Sequence, residues 1–140
     1  MSRAGRHLGG MKRSTILTIT GVTAVAIGVL ALVAPAVLIE VVKVAAPSAP
    51  ANVMARTVGV LLISVGLLDL LVRRHDDSPT MRAILIANLV LQLAILPIDP
   101  LAFAAGTFAT LGSFLPNTIL HVLLAVAFAR ELRRTARRPA

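Results

Sequence analysis

Residues 14–39 form a run of 26 without a charged side chain, and two more such runs follow, 16 residues between Arg82 and Asp99 and 30 between Asp99 and Arg130. A soluble helix of that length needs a polar face, whereas a bilayer core of ~30 Å takes ~20 apolar residues at ~1.5 Å per residue. A fourth apolar stretch, Val53 to Val72, is interrupted only by Arg56 and Asp69. The expectation is an all-α chain crossing a membrane four times, at about residues 15–34, 53–72, 82–98 and 113–130. Hydrophobic residues make up 57% of the chain and charged residues 14%, outside the usual range of soluble domains.

Charge distribution orients these spans. The net charge of +8 would suggest a nucleic-acid partner in a soluble protein, but 12 of the 14 basic residues fall in three places. Arg3, Arg6, Lys12 and Arg13 precede the first span; Arg73, Arg74 and Arg82 lie between the second and third; Arg130, Arg133, Arg134, Arg137 and Arg138 follow the fourth. Only Lys43 and Arg56 remain for the other side. The positive-inside rule then predicts a multi-pass protein of the plasma (inner) membrane with both termini cytoplasmic, N-in and C-in, and no nucleic-acid partner. Cysteine is absent, which excludes thiol nucleophiles and thiolate metal sites. Tryptophan and tyrosine are absent too, so Arg, Lys and His must mark the membrane boundaries.

Taken in order, residues 1–14 read as a basic cytoplasmic tail. Ala34-Pro35-Ala36 resembles a signal-peptide cleavage site, but the preceding apolar run is too long for one, and a retained first helix is expected. Thr20, Ala24, Gly28 and Ala31 make a small-residue ridge on that helix, and Gly59 and Gly66 mark a close contact on the second. Between Pro35 and Pro47, Glu40 and Lys43 beside valines suit a short interfacial helix in the first outer loop. Asn52 offers an N-cap to the second span, and Ser78-Pro79 reads as N-cap and N1 for the third, which Asp99-Pro100 ends. Residues 101–112 read as an outer re-entrant or interfacial segment rather than the outer end of a final helix kinked at Pro116. Residues 131–140 read as a basic tail at an anionic lipid surface.

The third span carries the polar groups. Asn88, Gln92, Ile95 and Asp99 follow helical spacing, so a stripe must face other helices instead of lipid. Heights counted from the basic boundary put Arg56, 17 residues from Arg73, level with Asp99, 17 residues from Arg82, at roughly 25 Å. That predicts an Arg56–Asp99 ion pair near the outer interface. Gln92 and His121 both fall at mid-depth, with Asn117 one turn above His121. The candidate catalytic residues are therefore His121, as acid or base, and Asn117; the candidate ligand-binding residues are Arg56, Asn88, Gln92 and Asp99. The same side chains serve equally as interhelical hydrogen bonds, worth on the order of 0.6 to 2 kcal/mol each. Asp69, four residues before Arg73, reads as half of an interfacial pair.

No cofactor or metal is expected. A bis-histidine haem needs a second intramembrane histidine, and His7 and His75 fall on the cytoplasmic side. A metal at His121 and Asp99 lacks a further ligand. The nucleotide, zinc-protease and hydrolase motifs G-x-x-x-x-G-K, H-E-x-x-H and G-x-S-x-G do not occur.

The run from Ala55-Arg56 through Gly59 and Gly66 to Asp69, with Asn88 and the later Leu120-His121, resembles small bacterial four-helix membrane proteins grouped under domains of unknown function. That resemblance implies a four-span architecture over about residues 15–130 and carries no activity. Sterol-isomerase-like proteins and small multidrug exporters are more distant: the carboxylates of the first and the mid-span glutamate of the second have no counterpart here. The function expected is a small accessory or apolar-ligand-binding bundle contacting membrane lipids, as a homodimer or within a larger membrane complex, with a pocket toward the outer leaflet. A membrane enzyme using His121 on a lipid-like substrate is the alternative, and a proton-coupled transporter is disfavoured because no carboxylate lies at mid-depth.

Overall fold

The computed structural model describes residues 12–41, 48–108 and 110–136, which form six α-helices and one 3-10 turn. These are α1 (Arg13–Val33), α2 (Pro35–Val41), α3 (Ala49–Val72), α4 (Pro79–Ile95), α5 (Ile98–Ala104) and α6 (Leu115–Ala136), with the 3-10 turn at Leu111–Ser113. Four segments are long and apolar enough to cross a membrane: α1, α3, the Pro79–Ala104 segment and α6. Leu71 is 74% exposed and Val33 73%, and such residues recur along all four. An outer surface of that kind suits lipid tails better than water.

Local chemistry sets the boundaries, and several differ from expectation. Ser48, not Asn52, caps α3, its hydroxyl accepting from the Ala51 amide at 3.3 Å. Pro50 is tolerated because a first-turn residue has no helical acceptor to lose. Ser78 caps α4, accepting from Met81 at 3.0 Å. The break after α4 comes at Pro97, earlier than Asp99-Pro100, because its ring removes the bond to residue 93 and clashes with that carbonyl. The chain resumes as α5, and Gly106, at φ 79°, closes it through Gly106 N–H to Phe103 and Thr107 N–H to Ala102, each 2.9 Å. Phe114 then packs on Phe103 and Phe108, with centroids 5.3 and 5.6 Å apart. Residues 101–108 and 110–112 thus form a short helix and a turn held by phenylalanines, and α6 starts beyond them with Pro116 in its first turn. At the other end α6 runs six residues past its expected limit, where Glu131 is 8% exposed and Leu132 packs against the buried cluster. The short helix of the first loop is seen as α2 with Glu40 exposed; Lys43 and the rest of its expected length lie outside the described residues.

The bundle is built from two antiparallel hairpins. In the first, α1 lies on α3 with Gly21 against Gly66 and Gly28 against Gly59, the glycines seven residues apart on both helices. A Cβ at Gly28 would stand 2.7 Å from the Gly59 carbonyl oxygen, and one at Gly66 2.7 Å from that of Gly21. The two backbones therefore touch without a side-chain layer between them. The ridge expected on α1 misses Gly21, and Ala24 is only half-buried while Gly21 and Gly28 are buried. In the second hairpin α4 packs on α6. The hairpins meet where Ile16 and Leu17 of α1, Met81 and Leu85 of α4, and Leu124 and Phe128 of α6 form a buried cluster near the basic ends of the helices.

Substituting Gly28→Ala or Gly66→Ala should destabilise the protein, since overpacking of ~1–3 kcal/mol against rigid backbone exceeds the ~1 kcal/mol gained in helix propensity. Gly112→Ala, whose Cβ would meet only the Thr110 hydroxyl at 3.8 Å, should change stability by less than ~0.5 kcal/mol. Equilibrium unfolding in mixed micelles checks both.

Candidate functional site

Polar side chains join the helices at two levels. Near the basic ends, Asp69 of α3 is fully buried and Asn88 of α4 is 4% exposed. The Asn88 amide donates to Asp69 Oδ1 at 2.9 Å and to the Ile84 carbonyl at 3.2 Å, so its donor group is fully occupied. Asp69 Oδ2 and Asn88 Oδ1 are buried acceptors with no hydrogen-bond partner among the described residues. The pair is short of a donor, which a proton or a hydroxyl-bearing molecule could supply. Asp69 is thus not the interfacial partner of Arg73, whose guanidinium donates instead to the Leu70 carbonyl.

Beside this pair lies a partly open cleft of ≈ 480 Å³ between α3 and α4. Val65 and Leu68 form one wall; Thr80, Ala83, Ile84, Ala87, Asn88 and Leu91 form the other. Its lining is apolar apart from Thr80 and Asn88, and the small side chains of Ala83 and Ala87 provide its depth. The volume lies within the ~300–1,000 Å³ of small-molecule sites.

The second level begins one turn further along α4, at Gln92, and continues to Asp99. His121 Nδ1 and Gln92 Oε1 are 2.5 Å apart, linking α6 to α4, and no partner of Nε2 occurs among the described residues. Asp99 accepts from Asn117 Nδ2 at 2.8 Å and from the Thr118 hydroxyl at 3.4 Å. Of the expected site residues, the structure brings together His121 with Gln92 and Asn117 with Asp99, while Asn88 turns the other way, to α3. Arg56 stands apart, exposed, and no ion pair joins it to Asp99. Equal height was not enough, because α3 lies on α1, and the break at Pro97 turns Asp99 toward α6. The height count does hold a signal for Asp69 with Asn88: four residues from Arg73 and six from Arg82 put them within ~3 Å of one level. Neither His121 nor Asn117 lines the α3/α4 cleft.

Among the described residues, the fold and these contacts define a helical bundle with four membrane-length apolar segments and a partly open apolar cleft. No protein-family model, curated protein or solved structure matches the chain.

Asp69→Leu and Asn88→Leu should each weaken the fold, and the double variant should lose less than the two combined. A coupling of roughly 0.6–1.7 kcal/mol is expected for a hydrogen bond within a helical membrane bundle. A double-mutant cycle in micelles measures it, and zero coupling would mean that the bond contributes nothing.

Proposed function

We propose that this chain is a small integral membrane protein of the plasma (inner) membrane, with both basic ends cytoplasmic, that holds a lipid-like apolar molecule between α3 and α4. The observation that carries this reading is the cleft itself: an apolar space of ≈ 480 Å³ on the lipid-facing side of the bundle, with Asn88 in its wall. The cleft is partly open between its two helices, so a ligand can enter it from the bilayer without any helix unfolding. Thr80 and Asn88 are the polar residues of its lining, which favours a largely apolar molecule with at most one polar group such as a hydroxyl. In this reading the pocket lies in the cytoplasmic half of the membrane. The protein serves as an accessory or carrier subunit, akin to the small bacterial four-helix proteins that its Arg56–Asp69 run resembles.

A second reading, acid or base chemistry by His121 on a lipid-like substrate, draws on one contact. Gln92 holds Nδ1 and so fixes the ring, leaving Nε2 to meet a substrate.

Ala87→Trp fills the cleft from an exposed position and should leave the melting temperature within a few degrees of wild type. Native mass spectrometry of protein extracted in mild detergent should show co-purified lipid on the wild type and at least about fivefold less on the variant. Equal retention by both would refute the cleft as the binding site, and loss of a dimer peak in the variant alone would mean that a second copy occupies it. His121→Ala should keep the lipid if the first reading holds, whereas accumulation of a chemically unaltered lipid species in that variant would favour the second.

A further inference from the structure

At the basic end, three separate elements converge on a second concavity, of ≈ 370 Å³. Lys12 and Arg13 come from the start of α1, Arg73 and Arg74 from the end of α3, and Arg134 from the last turn of α6. These five cations face two carboxylates, Asp76 and Glu131, so the lining has a surplus of three positive charges. The positive-inside rule requires only that basic residues lie on one side; it gives no reason for them to surround a shared space.

Internal partners satisfy only part of this charge. Arg13 donates to Asp77 and to the His75 carbonyl, Arg73 to the Leu70 carbonyl, and Arg134 to Glu131 at 3.3 Å. Lys12 and Arg74 have no side-chain partner among the described residues, and Arg13 Nε is buried without an acceptor. Arg13 is thereby fixed in place by the turn after α3, which also carries Arg74. A group with several acceptor oxygens and at least one negative charge matches such a set of donors.

We infer that this concavity binds a phosphate ester. At the end of a membrane-length bundle the nearest source is the headgroup of an anionic phospholipid, and basic pockets between transmembrane helices accept such headgroups. A soluble phosphate ester offers the same oxygens. The inference is separate from the α3/α4 cleft, with which the concavity shares no lining residue.

The test uses the full chain in detergent and two arms. In the first, phosphatidylglycerol and phosphatidylcholine are titrated and retention is read by native mass spectrometry. In the second, inorganic phosphate and glycerol 3-phosphate are titrated against the thermal midpoint, with chloride at matched ionic strength as control. Phosphatidylglycerol should bind about tenfold or more tightly than phosphatidylcholine. The double variant Lys12→Gln/Arg74→Gln removes only cations that hold no internal contact. At roughly fivefold per charge it should weaken binding about 25-fold while keeping its midpoint without ligand. Arg130→Gln/Arg133→Gln removes the same charge from α6 residues outside the concavity and should cost less than about threefold. A response confined to the soluble arm, erased by the first variant, supports the phosphate site and identifies its source as soluble. Equal losses in the two variants, or no response in either arm, overturn the proposal.

Discussion

The approach of α1 to α3 sets the geometry of everything else. Where Gly21 meets Gly66 and Gly28 meets Gly59, no side chain separates the backbones, so the helices pack at the shortest distance their main chains allow. Between helices in lipid there is little hydrophobic gain from burial, because the alternative environment is equally apolar; close van der Waals contact has to replace it. The contact also commits α3. With its glycine face against α1, α3 is joined to α4 by the Asp69–Asn88 hydrogen bond, and the cleft lies beside it.

Polar contacts divide between the hairpins accordingly. Gln92–His121 and Asp99–Asn117 hold the second hairpin together in the half remote from the buried Ile16–Phe128 cluster, which holds its basic half. Asp69–Asn88 is a side-chain hydrogen bond between the first hairpin and the second. It lies beside the cleft and leaves two buried acceptors unmatched among the described residues.

The architecture was largely legible in the sequence, because charge-free runs of membrane length are a strong signal that neighbouring structure does not alter. The polar partners were legible only in part. Gln92 with His121 followed from equal height on helices adjacent in the chain. Arg56 with Asp99 satisfied the same rule yet does not pair, because height says nothing about which helix lies beside which. That lateral choice is made by Gly21 and its three counterparts, and Gly21 was the one glycine of the four not included in a packing ridge. Asp69 was misread because a nearby arginine supplied a simple local partner, while its actual partner lies 19 residues away. The Pro97 break was hidden by Pro100, a second proline three residues on, which turned out to sit harmlessly in the first turn of α5.

The span of 29 residues between Gln92 and His121 also bears on how the chain is made. The first hairpin closes through glycines and needs nothing from later sequence, so it can pair as soon as α3 emerges. On crossing a membrane, the third apolar segment would enter hydrocarbon with an amide whose partner has not yet been synthesised. At ~5–20 residues per second the delay is roughly 1.5–6 s. During that interval the nascent protein depends on the insertion machinery, or on lipid headgroups and water, to shelter one glutamine until the last helix arrives.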